Sequence, residues 1–186
     1  MKKMLLLATM FLLFGAFAHG QDVGFNPVTS TVLPGDLFSV RIVGTGFASV
    51  LDGGGVELSF DQSVLNVTSV SIAPIWDPAF SVPAFSIRND LGRVLSINFG
   101  SFANISGNFD IATIGFQAMN LGTSPLHLTE FSANPFASGG NPLTVLFHDG
   151  SVLVVPEVST AWIVVVGLVM CLLERRMSRR FSSGTE

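Results

Sequence analysis

The feature that most constrains this chain is an alternation of apolar and polar residues, with a period of two, that recurs throughout its middle section. Phe38, Val40 and Ile42 alternate with Ser39 and Arg41, and Val56, Leu58 and Phe60 alternate with Glu57 and Ser59. Leu95, Ile97 and Phe99 are expected to share a face, as are Ile114, Phe116 and Ala118, while Leu126 and Leu128 flank His127. Leu143, Val145 and Phe147 continue the pattern, and the run from Val152 to Val155 resumes it. Successive side chains of a strand point to opposite faces, so each such stretch predicts a strand buried on one side. No part of this section carries a helix-length apolar stripe with caps. "LPGD" at 33–36 predicts a type II turn in which Gly35 supplies the positive φ, and "HDGS" at 148–151 predicts an Asp-Gly hairpin. An all-β domain follows. Two facing sheets cover this many apolar faces better than one open sheet does.

The material for a core is plentiful. Thirteen of the seventeen phenylalanines fall between Gln21 and Val155. The only cysteine, Cys171, lies outside that section, so apolar burial rather than a disulfide must hold the domain together. Between Gln21 and Val155, three arginines face ten carboxylates with no lysine, a formal balance of −7, against −4 for the whole chain. A surface of that sign excludes DNA and RNA as partners, because both demand basic contacts.

The two ends read differently from the middle. Met1, Lys2 and Lys3 precede an apolar stretch to Phe17, followed by small residues, which is the layout of a secretory signal peptide over residues 1–20. The mature chain is expected to start at His19 or Gln21, leaving a domain over 21–155. The tail, 156–186, contains a thirteen-residue apolar run from Ala161 to Leu173. As a helix it spans only ~20 Å, short of a hydrocarbon core ~30 Å thick. Residues 158–160 at one end and snorkelling arginines at the other narrow the gap, predicting a short transmembrane helix over about 159–173. Arg175, Arg176, Arg179 and Arg180 follow at once and should keep that end cytoplasmic.

"VPEVSTAWIVVVGLVMCLLERRMSRR", from Val155 to Arg180, resembles the PEP-CTERM sorting signal of Gram-negative bacteria: a Pro-Glu-Pro motif, a short membrane helix and an arginine cluster. Val155, Pro156 and Glu157 match the start of the motif, Ser159, Thr160 and Trp162 fit its continuation, and Val158 stands where the family has its second proline. The resemblance implies processing near the motif by an exosortase in the inner membrane. It also implies a final location in the cell envelope or the extracellular, biofilm matrix.

The middle section is similar to cohesin domains. "VLPGDLFSVRI", "VELSFDQSVLNVTSV", "GRVLSINFG", "FDIATIGFQAMNLGTSPLHL" and "DGSVLVV" follow in the order of that family's strands, covering Asp22 to Val155. The resemblance implies a nine-stranded β-sandwich with jelly-roll topology and, as one option, a dockerin-like protein partner.

Little in the chain resembles catalytic chemistry. His127 and His148 lack the converging ligands that a metal needs, so no metal, no cofactor and no enzymatic activity are expected. Asp61 in "SFDQSVL" is expected to tie its own turn by hydrogen bonds rather than to ligate an ion. "LDGGGVE" lacks the helix and lysine of a phosphate loop and predicts a turn or bulge. Trp76, Phe80 and Phe85, in and beside the proline-rich stretch "APIWDPAFSVPA", are the candidates for a binding surface, although packing beneath that loop is the commoner outcome for such aromatics. Taken together, the chain reads as a non-enzymatic exported interaction protein. The alternatives are a carbohydrate-binding module that takes extracellular polysaccharide and a permanently membrane-anchored adhesion domain.

Overall fold

Residues 20–81 and 85–157 are described by the computed structural model of the protein. Eleven strands follow in order: β1 (Gln21–Asn26), β2 (Thr29–Val32), β3 (Leu37–Ser59), β4 (Leu65–Ile72), β5 (Ser86–Arg88), β6 (Arg93–Ala118), β7 (Gly122–Glu130), β8 (Ala137–Ser138), β9 (Asn141–Pro142), β10 (Val145–Phe147) and β11 (Gly150–Val154). Two short 3₁₀ turns, Pro78–Phe80 and Asn89–Leu91, complete the described residues. Among them no helix is long and apolar enough to cross a membrane. The signal-peptide residues before position 20, the run from Ala161 to Leu173, and Arg175, Arg176, Arg179 and Arg180 lie outside the described residues.

Where nine strands are expected, two elements are far longer than one strand of a sandwich. β3 has 23 residues and β6 has 26. Each serves both sheets. Residues 37–44 of β3 pair with residues 109–117 of β6, residues 41–45 pair with β1, and β4 and β10 extend this first sheet at its edges. Residues 53–59 of β3 pair with residues 93–100 of β6, and β7, β11, β2 and β5 complete the second. The register between β3 and β6 slips at Gly44/Phe47, Phe47/Leu51 and Leu51/Gly53, the stretch where both strands change sheet. An extra residue on one strand bends it and increases its twist, which lets a strand turn such a corner.

One core lies between the layers. Val40, Ile42, Val56, Leu58, Ile114 and Phe116 are almost fully buried, as their alternation requires, and Phe136 joins them from the loop after β7. Phe136 lies against Phe47, Phe99 and Phe147, and Phe60 meets Phe116 edge-on. Burying an aromatic ring of this kind stabilises by roughly 1.5–3 kcal/mol.

Two local expectations need correcting. Leu95 does not share a face with Ile97 and Phe99; the buried set is Val94, Ile97 and Phe99. Leu58 pairs with Val94 and Val56 with Ile97, so Leu95 and Ser96 of β6 oppose Glu57 alone on β3, and Ser96 takes up the excess at φ 58°. That bulge moves Leu95 out of phase. Nor does "HDGS" join a hairpin. β10 pairs in parallel with β1, whereas β11 pairs with β7 and β2, so the turn carries the chain between sheets. "LPGD" does form its turn, with Gly35 at φ 89° and the Asp36 amide donating to the Leu33 carbonyl over 3.1 Å.

Candidate functional site

The stretch from Ala73 to Ser81 lies along the crossover of β3 and β6, anchored at two points. The Ala73 amide donates to the Ile111 carbonyl and the Asp77 amide to the Gly100 carbonyl, each over 2.9 Å. Between them Trp76 turns inward. It is 3% exposed, packs on Phe99 and Phe109, and donates its indole N–H to the Asp110 carbonyl over 2.9 Å. The Asp77 carboxylate then accepts from the Ala79 amide, starting the short 3₁₀ turn that delivers Phe80 to the surface.

Trp76, Phe80 and Phe85 therefore do not make one platform. Trp76 belongs to the core, Phe85 is half-buried against it, and only Phe80 lines an open groove. The ring that accompanies Phe80 is Phe102, which is 87% exposed, the most exposed of the large hydrophobic residues described. Their centroids are 4.8 Å apart at an interplanar angle of 69°. The sequence carries a faint signal for it. "GSFANISG" sets a large aromatic ring in a stretch made mostly of glycine, serine, alanine and asparagine, where a strand facing solvent has no use for it.

Two grooves meet at Phe80. The larger, of about 520 Å³, has Phe80 along one side and Phe131, Asn134 and Pro135 along the other, with Gly53, Asn98 and Gly100 also lining it. The smaller, of about 370 Å³, lies among Val50, Phe102 and Asn104 and shares Asp52 and Phe80 with the first. Glycines permit the close approach. A Cβ on Gly55 would come within 2.6 Å of Asn98 Oδ1 and 3.0 Å of Phe131, and one on Gly100 within 3.0 Å of Phe80. The glycine run of "LDGGGVE" thus sits in a strand at a register shift and brings loops close to the sheet. Asn134 holds the second wall, donating to the Gly54 carbonyl over 2.8 Å and to Asn98 Oδ1 over 3.2 Å.

The remaining candidates fall elsewhere. Asp61 Oδ1 accepts from the Ser63 hydroxyl at 2.6 Å and the Ser63 amide at 2.8 Å. These two hydrogen bonds, the hydroxyl's foremost, hold the carboxyl below its ordinary range. His127 bonds Asp149 at 2.7 Å and His148 bonds Asp22 at 2.9 Å, in separate exposed pairs. Among the described residues no group of three or more His, Cys, Asp or Glu side chains is arranged to hold a metal. Val155, Pro156 and Glu157 leave the sheet directly after β11 without regular structure, and Pro156 and Glu157 are exposed. The chain divides into two compact units at Val154/Val155, so the motif begins where the β domain ends.

No family model matches the sequence, and no curated protein matches it. Solved structures do. The third cohesin ScaC of Acetivibrio cellulolyticus, solved in complex with the ScaB dockerin, is 23% identical with a TM-score of 0.57, covering 73% of this chain and 99% of that one. The seventh ScaB type I cohesin of Pseudobacteroides cellulosolvens is 18% identical with a TM-score of 0.58, over 74% and 93% of the two chains. This is a cohesin fold. The likeness also extends to a non-cellulosomal cohesin of the hyperthermophilic archaeon Archaeoglobus fulgidus, 14% identical with a TM-score of 0.53, over 76% and 94%. At such identities the shared feature is the architecture; the cohesin-like domain's binding residues must be read from its own surface.

Proposed function

We propose that the chain is an exported, non-enzymatic interaction domain, delivered through a sorting tail that an exosortase processes and retained in the envelope or matrix of a Gram-negative bacterium. One observation carries this reading. Val155, Pro156 and Glu157, the residues that match the sorting motif, leave the fold immediately after its last strand, with Pro156 and Glu157 exposed. A protease needs an extended, accessible segment, and proline both favours extension and removes a backbone donor. The exposed Phe102, which lines the smaller groove, supports an interaction role, since a ring in water is the kind of anchor that partner surfaces bury. Dockerin bound to the Acetivibrio cohesin supports a protein as one class of partner. A sugar platform made of Trp76, Phe80 and Phe85 is the weaker reading, because the tryptophan is buried.

The test follows the C-terminus. Mass spectrometry of the protein from a host with an exosortase and from one lacking it should show loss of the tail near Glu157 only in the first. Persistence of a tail reaching Glu186 equally in both makes the protein a permanently anchored one.

A further inference from the structure

We infer that the corner formed by Phe80, Phe102 and Val50 is a docking surface for a protein segment that presents an apolar side chain flanked by lysine or arginine. This deepens the interaction reading and is independent of how the tail is processed.

Three observations converge on that occupant. Phe102 is 87% exposed and touches Phe80, while Val50, 40% exposed, lines the same groove. Phenylalanine has no polar handle, so the ring gains only from apolar contact, and an apolar side chain entering the groove completes its burial. The second observation is charge. Asp52 lines both grooves, and Asp77 is hydrogen-bonded through its amide to Gly100, two residues before Phe102. Among the described residues no lysine, arginine or histidine lines either groove. Acids beside an apolar anchor select basic neighbours on the partner and speed their encounter. The third is rigidity. Phe80 is held on a capped turn anchored at Gly100, so the wall exists before a partner arrives.

The probe is a phage-displayed library of random twelve-residue peptides, selected on the full chain in mild detergent. Enriched peptides should pair an aliphatic or aromatic residue with adjacent lysine or arginine. Phe102→Ala should weaken the best of these peptides, measured by calorimetry, by about tenfold or more, the usual effect of losing an anchor. Asp52→Asn with Asp77→Asn keeps both hydrogen-bonding side chains and removes two charges. It should weaken binding severalfold and flatten the salt dependence. Leu37→Ala, a change at a comparably exposed residue (73%) in the first sheet, is the control and should change nothing.

Peptides that bind Phe102→Ala as tightly as the parent protein would leave the interaction reading standing and remove this surface from it. Enrichment without basic residues would remove the charge component and overturn the proposed occupant. Failure to enrich any peptide overturns the proposal, as does Phe102-dependent retention on insoluble cellulose, which would make the corner a sugar site.

Discussion

His148 and Asp149 are neighbours in the chain, yet their side chains reach opposite sheets. His148 Nε2 lies 2.9 Å from Asp22 on β1, and Asp149 Oδ1 lies 2.7 Å from His127 on β7. The dipeptide spans the point where the chain passes from the first sheet to the second. Both pairs stand largely in water, where such contacts contribute about 0–1 kcal/mol. Asp22→Ala and Asp149→Ala should therefore each lower unfolding stability by no more than about 1 kcal/mol in urea titrations. A loss well above that would make the turn a structural clamp.

Phe60→Ala should be far more damaging. The ring is buried in the core and meets Phe116 at 5.9 Å, close to perpendicular. Truncation of such a residue costs about 3–5 kcal/mol. Denaturant midpoints of the two proteins measure it, and a change under about 1 kcal/mol would put the ring outside the core.

Gly92 and Gly107 separate conformational strain from collision. Both have positive φ, 63° and 81°. A Cβ on Gly92 would run into the Phe60 carbonyl oxygen, whereas one on Gly107 meets nothing within 4 Å. Gly107→Ala should cost about 1–2 kcal/mol from the left-handed backbone alone. Gly92→Ala should cost clearly more, because the carbonyl it strikes belongs to Phe60, whose amide is tied to the Gly92 carbonyl over 2.9 Å, so the two backbones cannot easily move apart. Thermal unfolding of the pair ranks them directly.

The Asp61 turn should add a pH dependence. Its carboxyl is held below the ordinary range by the Ser63 hydroxyl and then the Ser63 amide. A depressed folded value means that the unfolded chain takes up the proton first on acidification. The stabilisation is fully present above the ordinary carboxylate value of about 3.9 and is lost as pH falls through the lower folded one. Asp61→Asn should thus show its largest deficit in Tm near neutrality, and the gap should close in acid. A gap that stays constant down to pH 2 would show that the charge is not responsible.

Replacing Arg175, Arg176, Arg179 and Arg180 with neutral residues should abolish processing. Each arginine resists crossing the bilayer, and without them nothing stops a short apolar run from slipping through. Val158→Pro, which completes the family's motif, should leave processing equal or improved. Immunoblots against a C-terminal tag, with a periplasmic protease to report which side it occupies, read both outcomes.

Where a property depends on neighbours in sequence, it was legible. The burial of Val40, Ile42, Val56 and Leu58 follows from the two-residue period. The turn at Gly35 and the local bonding of Asp61 follow from side chains acting within a few residues. What depends on residues far apart was not. Ser96 shifts the face of Leu95 because β3 supplies one position where β6 brings two, a mismatch visible only once the strands pair. The Asp-Gly turn failed as a hairpin because β1 and β7 competed for its two strands and won. Trp76 and Phe102 make the contrast sharpest. A tryptophan in a proline-rich loop can face solvent or pack beneath the loop, and the sequence did not single out the phenylalanine at 102; the fold buries the first and exposes the second. Asp110 offers the indole a buried acceptor at the crossover, while the bulges that carry β6 between sheets turn Phe102 outward. Local alternation determined that this chain would be a sandwich of strands; the crossing of β3 and β6, a contact between segments some fifty residues apart, decided which of its rings face water.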